Sequence, residues 1–175
     1  NRAKIANENK GNLFISIHTN SLDKSNPNRK QVSGASVYAL VLHKDQSNLQ
    51  VARRENSVIE LEKNFEQKYS GFDPSKDESY IIFEMAQKKN LGQSLKFADL
   101  AQKSLVKEAK RADRGVKQAG FWVLWATSMP AVLVELDFIC NPNSAVYMGS
   151  EKGQSQLADA LCKEIEKYVG NKNLS

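Results

Sequence analysis

Two residues combine a reactive side chain with an apolar setting. His18 follows the apolar run Leu13–Ile17, and Glu135 lies inside the apolar run Ala131–Leu136. A neutral imidazole can bind a metal ion or act as a base, and a glutamate withdrawn from water can transfer protons near neutral pH. Together they could activate water for hydrolysis. Simpler interpretations stay open, namely a hydrogen-bonded histidine at a strand end and a glutamate held in a structural ion pair.

The elements that must position these residues follow from the hydrophobic pattern. Apolar runs without alternation predict strands that are buried on both faces, and helical spacing of apolar residues predicts amphipathic helices. Gly71–Pro74 ends the first long helix and Gly92 separates the next two. The predicted strands cover residues 13–18, 35–42, 121–124 and 131–136, and the predicted helices cover 47–69, 79–90, 94 to about 110, and 152–169.

This mixture of strands and helices predicts an α/β fold. We expect a three-layer αβα domain with a central, mostly parallel sheet and a helical insertion. In open α/β sheets, ligands bind beyond the carboxyl ends of the strands. His18 lies at such an end, so the predicted site lies at that edge of the sheet.

Composition narrows the class of protein. The 175 residues fit one domain with its own core. The net charge of +5 could suit an anionic partner, but no nucleic-acid-binding motif accompanies it, so we expect no nucleic acid partner. No apolar run reaches the roughly 18 residues of a membrane span. Cys140 and Cys162 lack a CxxC spacing; their pairing stays open, and Cys162 is predicted to be a core residue of the last helix.

Two separate motifs resemble one enzyme family. Residues 14–20, FISIHTN, with Arg2 and Ile5–Asn7 upstream and Gly34–Leu40 downstream, are similar to the metal-binding strand of zinc-dependent N-acetylmuramoyl-L-alanine amidases (the amidase_3 family) and its flanks. Residues 115–121 (GVKQAGF) and 129–135 (MPAVLVE), followed by Phe138–Pro142, resemble the segment that carries the family's catalytic glutamate. The resemblance covers nearly the whole chain.

The resemblance implies a function and a set of site residues. His18 corresponds to a Zn²⁺ ligand and Glu135 to the general base, with Asn20 as a weaker candidate for orienting substrate or ligand. The implied enzyme is a peptidoglycan hydrolase, periplasmic or extracellular, that cuts the amide between N-acetylmuramic acid and L-alanine of the stem peptide. A non-catalytic peptidoglycan-binding or scaffolding module is the alternative.

The sequence departs from the family pattern in two places. The family's other two zinc ligands lie upstream of the matched region, so we expect an N-terminally truncated chain with the amidase domain over 1–170 and a tail over 171–175, and little zinc binding or activity. Asp137 stands where the family usually has glycine. Its charge could act on Glu135, two residues away, or point to solvent.

A helical insert, predicted over 45–93, resembles that of cell-division amidases, in which a helix covers the zinc site until an activator protein displaces it. The candidates for reaching into the site are Glu55, Glu60, Glu62 and Glu66; the alternative is an ordinary exposed helix face. Tyr38, Trp122 and Trp125 could line a glycan groove or pack in the core.

Overall fold

The computed structural model describes residues 2–40, 46–61, 64, 67, 69, 72–76, 78–79 and 88–172. Within these ranges the chain alternates between helices and strands as an α/β protein. The elements, in chain order, are α1 (Arg2–Glu8), β1 (Phe14–Asn20), β2 (Ala35–Leu40), α2 (Gln46–Asn56), a 3-10 helix (Ser57–Leu61), α3 (Lys88–Lys107), β3 (Asp113–Ala119), α4 (Trp122–Trp125), β4 (Ala131–Phe138), α5 (Pro142–Gly149) and α6 (Glu151–Lys172).

The four described strands form one sheet in the order β1-β4-β2-β3. Phe14 N donates to Pro130 O and Ile139 N donates to Asn20 O, so β1 and β4 start and end together and run parallel. Gly34, just before β2, donates its N–H to the Asp137 side chain near the end of β4. Strand β2 therefore runs opposite to β4, and the sheet is mixed, with β1 as an edge strand of the described sheet.

The chain divides into two compact units. The first unit comprises residues 1–14, 39–94 and 117–132, and the second comprises 15–38, 95–116 and 133–175. In the second unit the C-terminal part of α3 packs against α6, where Ser104 Oγ donates to Ala160 O at 2.8 Å and the rings of Phe97 and Tyr168 meet edge to face. The candidate residues His18 and Glu135 both belong to the second unit.

Several sequence predictions are confirmed. Strands β1, β2 and β4 and helix α6 lie where the apolar patterns place them. Of the stripe that helical spacing predicts on α6, Leu157, Leu161 and Tyr168 are buried and Ile165 is half-buried. Cys162 follows Leu161 by one position, about 100° around the helix, and it is exposed; the prediction that it lies in the core is wrong. Both cysteines are free thiols.

The predicted strand at 121–124 is wrong. Residues Trp122–Trp125 form the short helix α4, with helical hydrogen bonds from Trp125 N to Phe121 O and from Ala126 N to Trp122 O. The strand lies just before it, as β3, whose residues are mostly half-buried or exposed. Bulky aromatic residues favour strands in general, and the aromatic residues of this segment therefore led to a strand prediction where the chain forms a short helix.

The helix boundaries also differ from the predictions. Helix α3 starts at Lys88 and passes through Gly92, so Gly92 does not separate two helices. A Cβ at Gly92 would meet no atom within 4 Å, and an exposed helical glycine costs only about 1 kcal/mol. Helix α2 ends at Asn56 and is followed by the 3-10 helix to Leu61. Most residues from 62 to the predicted end at 69 lie outside the described ranges. Most of the predicted helix 79–90 lies outside the described residues. Helix α1 was not predicted.

No described helix is both long enough and apolar enough to cross a membrane.

Candidate functional site

The two predicted catalytic residues lie on the same face of adjacent strands. Ile17 and Thr19 of β1 and Leu136 of β4 line one groove together with residues of α5 and α6. Because side chains alternate along a strand, His18 and Glu135 must both point to the opposite face. The structure thus brings together a histidine and a glutamate that are 117 positions apart in the chain.

His18 is half-buried near the end of β1. Its Nε2 lies 2.8 Å from the hydroxyl oxygen of Ser16, two residues earlier on the same face, and Ser16 is 5% exposed. The serine engages one ring nitrogen from within the strand. Sequence reasoning missed this contact, because a serine inside a strand has no pattern that marks it as a partner.

Glu135 is fully buried in β4, between Val134 and the half-buried Leu136. Strand β4 is a central strand, between β1 and β2. The carboxylate therefore lies over the middle of the described sheet and away from its edges. A glutamate with no exposed surface is rare unless it is paired or functional. The burial that the sequence predicted for Glu135 is confirmed, and its role as a base stays a prediction.

Asp137 does not point to solvent, so that alternative is wrong. It is fully buried, and Arg111 Nη1 lies 2.9 Å from its Oδ2. Its Oδ1 accepts from Gly34 N at 2.9 Å, from Ser144 Oγ at 2.9 Å and from Phe138 N at 2.7 Å. Arg111 in turn stacks over the ring of Tyr147, at 3.7 Å from its centroid. The charge beside Glu135 is neutralised, and it ties β4 to the start of β2 and to α5.

Asn20 ends β1 and is 3% exposed. Its Oδ1 accepts from Ser21 N at 2.8 Å, and its carbonyl accepts from Ile139 N at 2.8 Å. Leu22 N donates to Cys140 Sγ at 3.4 Å. These bonds hold together the loops that follow β1 and β4. A role of Asn20 toward substrate stays a prediction.

The donor chemistry fits only part of a zinc site. The imidazole of His18 is a typical Zn²⁺ ligand, but a catalytic zinc takes three protein ligands. Among the described residues, no three His, Cys, Asp or Glu side chains lie close enough together to hold a metal ion. His18 is therefore one candidate ligand, and the described residues do not contain a complete set of three.

The proposed regulatory glutamates lie in or near the insert. Glu55 lies in α2, with its Oε1 3.2 Å from Arg54 Nε, and Glu60 is exposed in the 3-10 helix. Glu62 and Glu66 lie outside the described residues. Their role at the site stays a prediction.

Asn56, which the sequence did not single out, fixes the described part of the insert. Its Nδ2 donates to Gly120 O at 2.8 Å and its Oδ1 accepts from Trp122 N at 2.9 Å. The rings of Tyr69 and Phe72 lie 5.1 and 4.9 Å from that of Trp122. Trp122 and Tyr38 are 8% and 1% exposed, which favours core packing over a glycan groove for both.

Comparison with known proteins gives a consistent match. Residues 1–167 match the family described as N-acetylmuramoyl-L-alanine amidase. Over 169 residues the chain is 28% identical to the N-acetylmuramoyl-L-alanine amidase AmiA of Escherichia coli, covering 95% of this chain and 55% of that protein.

Solved structures show the same fold. The N-acetylmuramoyl-L-alanine amidase from Clostridium difficile 630 aligns with a TM-score of 0.62 at 22% identity, over 98% of this chain and 64% of that chain. The CwlD amidase of Clostridioides difficile, solved in complex with the GerS lipoprotein, aligns with a TM-score of 0.59 at 19% identity, over 97% of this chain and 60% of that one. The present chain thus spans less than two thirds of each of these relatives.

Proposed function

Because this chain belongs to the N-acetylmuramoyl-L-alanine amidase family, we propose that it forms part of a peptidoglycan hydrolase. The bond cut is the amide between the lactyl group of N-acetylmuramic acid and the L-alanine of the stem peptide. The carrying observation is the fully buried Glu135 of β4, on the same face of the sheet as His18 of the neighbouring strand. The substrate sets the location in the cell envelope, in the periplasm or outside the cell.

In this proposal Glu135 moves the proton. Its carboxylate takes a proton from the attacking water and delivers it to the departing amine of L-alanine. Burial suits this task, because a carboxylate that is withdrawn from water holds a proton more readily than an exposed one. The Asp137–Arg111 ion pair, with its oxygen and nitrogen 2.9 Å apart, keeps a second charge on β4 neutral and fixed.

Zn²⁺ is the proposed cofactor, with His18 as one ligand. When bound, such an ion polarises a carbonyl and lowers the pKa of water. The two further protein ligands that a catalytic zinc needs would come from outside the described residues.

We propose that a further strand and helix of the domain pack against the open edge of β1, an edge strand of the described sheet. Ile17, on this edge strand, is 56% exposed. Beside it lies an apolar groove of about 220 Å³, lined also by Leu136, Met148, Leu157 and Leu161. A strand paired with β1 would end next to His18, and a helix following it would cover the groove. We propose that this strand and helix precede Asn1 and carry the missing ligands.

A protein partner is proposed for regulation. The insert over 45–93 would cover the site, and an activator would displace it. The solved complex of CwlD with GerS is a precedent for a protein bound to an amidase of this fold.

The test compares zinc content and the release of stem peptides from purified peptidoglycan. It uses this chain and one extended upstream by about 60 residues, room for another βαβ unit. We expect zinc and activity in the extended chain, and a loss of about 100-fold or more in Glu135→Gln, since general-base catalysis contributes that much. Glu164→Gln is the matched control, because Glu164 is also buried, at 5% exposure, but lies on α6.

The alternative is a non-catalytic peptidoglycan-binding module. It predicts that the extended chain binds peptidoglycan yet holds no zinc and releases no peptide, even with residues 47–90 deleted to relieve inhibition. That result, obtained with a folded chain, would replace the hydrolase proposal.

A further inference from the structure

The loop that follows β1 holds an arginine whose charge has no carboxylate partner. Residues 21–33 contain three basic residues and one acidic residue, Asp23. Arg29 is half-buried in this loop, and its Nη1 donates to Ser21 Oγ at 3.3 Å and to the carbonyl oxygen of Leu22. Within the described part of the chain, no carboxylate forms an ion pair with it. The guanidinium is thus fixed just beyond the end of β1 without a counter-charge.

The bonds that fix Arg29 use only one side of its guanidinium. This group has five N–H donors in a planar fork, and the bonds to Ser21 and Leu22 both come from Nη1. Neither Nε nor Nη2 is a buried atom without a partner, so this edge is open to solvent. Two parallel N–H groups match the two oxygens of a carboxylate. In Arg111, by contrast, Nη1 binds Asp137 and Nε binds a backbone carbonyl oxygen.

The same loop begins close to the candidate catalytic residues. Ser21 directly follows β1 and lies three positions after His18. At about 3.3 Å per residue of strand, this separation is about 10 Å, which about three residues of an extended peptide would span. Leu22 N donates to Cys140 Sγ at 3.4 Å, which joins the loop to the residues that follow β4. All of these residues belong to the second unit.

We propose that Arg29 is a substrate-binding residue that pairs, through Nε and Nη2, with a carboxylate of the stem peptide. This inference rests on the proposed function, which supplies the ligand. The lactyl carboxyl of N-acetylmuramic acid is consumed in the scissile amide, so the carboxylates of the substrate lie on the peptide side. Arg29 would act on binding and not on proton transfer, and its loss should raise KM more than it lowers kcat.

The test compares two ligands that differ only in charge. One is N-acetylmuramoyl-tripeptide with free carboxylates, and the other is the same compound with its carboxyl groups converted to carboxamides. Binding is measured by calorimetry on the chain extended upstream, with Glu135→Gln to prevent hydrolysis. We expect the carboxylate form to bind about 10- to 100-fold more tightly, because hydrogen bonds between charged groups are the strong ones.

Three variants separate recognition from general charge. Arg29→Gln should remove the preference by weakening binding of the carboxylate form alone. Arg29→Lys keeps the charge but not the fork, so it should keep only part of the preference. Lys30→Gln removes the same charge from the exposed neighbouring residue and should leave the preference unchanged. With Glu135 restored, Arg29→Gln should raise KM for the carboxylate substrate and change kcat little.

Equal affinity for the two ligands in the chain with Arg29 would overturn the inference. So would equal weakening of both ligands by Arg29→Gln, the result expected if the arginine only holds Ser21 and Leu22 in place. If Arg29→Gln does not fold, Arg29→Lys decides, because an undiminished preference there would contradict pairing through Nε and Nη2. Binding of inorganic phosphate that is equally strong and equally dependent on Arg29 would assign the residue to a phosphate ligand instead.

These outcomes are distinguishable from those of the proposed function. A chain that prefers the carboxylate ligand through Arg29 but hydrolyses neither compound would count against the hydrolase proposal alone. A chain that hydrolyses both compounds with equal KM would count against the role of Arg29 alone.

Discussion

Two buried anchors, one in each unit, hold the chain by different physical means. In the second unit, Asp137 is a charge with four donors around it, among them Arg111 at 2.9 Å. In the first unit, Asn56 is a neutral amide that bonds Gly120 O and Trp122 N, beside a cluster of aromatic rings.

The two anchors differ in how much the fold is destabilised when one partner is removed. A buried charge that loses its partner is strongly destabilising, because the remaining ion stays out of water. A buried amide that is removed leaves only neutral backbone groups unsatisfied. The strand that carries Glu135 is thus held by an ion pair whose disruption would strongly destabilise the fold. The described insert is fixed by a milder one, which suits a segment proposed to be displaced by an activator.

The largest expected effect is on the charged anchor. Asp137→Ala leaves Arg111 without its carboxylate, although the arginine is only 18% exposed. The free energy of unfolding should fall by about 3–5 kcal/mol, measured by urea unfolding followed by circular dichroism. The double variant Asp137→Ala/Arg111→Met should lose less than the sum of the two single variants, because the two residues are coupled. Additive losses would mean that the pair contributes no buried charge interaction.

The charged anchor also illustrates how far the sequence could predict the site. His18 and Glu135 were predictable, because a polar residue beside or inside an apolar run is conspicuous. The pairing of Asp137 with Arg111 was not. The two residues are 26 positions apart, and no periodic pattern connects them.

The fold was predictable to a similar extent. Strand β4 (Ala131–Phe138) was predictable over residues 131–136, because four consecutive apolar residues, Ala131–Val134, precede Glu135. Strand β3 contains few apolar residues, so its hydrophobic pattern does not reveal it. It is recognised as a strand by its pairing with β2 in the sheet. The reversal of β2 relative to β4 depends on contacts between distant residues, such as Gly34 with Asp137. Local patterns do not encode such contacts.

A smaller effect is expected on the neutral anchor. Asn56→Ala leaves Gly120 O and Trp122 N without the bonds of 2.8 and 2.9 Å that Asn56 makes with them. An unsatisfied buried group costs about 1–3 kcal/mol, and hydrogen exchange at the Trp122 amide should become faster. Asn48→Ala, in the same helix, is the matched control, since no described residue bonds to its Oδ1. If Asn56→Ala costs as much as Asp137→Ala, the contrast between the two anchors is wrong.

The smallest effect is expected at an exposed ion pair, which shows what charge contributes without burial. Glu108 Oε1 lies 3.0 Å from Lys163 Nζ. The hydrogen bond from Lys163 and then its charge lower the pKa of Glu108 below its ordinary value of 4.5. Because the folded-state pKa is the lower one, the pair stabilises the fold above the unfolded-state pKa, and this contribution is lost as the pH falls through the folded-state pKa.

The difference in urea midpoint between the wild type and Lys163→Met should therefore be constant at neutral pH and vanish in acid. Lys152→Met, a matched change at another exposed lysine of α6, should show no such pH dependence. Added salt should shrink the Lys163 effect, because exposed charges are screened, yet leave that of Asp137→Ala largely intact. Equal salt sensitivity of the two would mean that burial does not set the strength of the charged anchor, since screening reaches buried pairs much less than exposed ones.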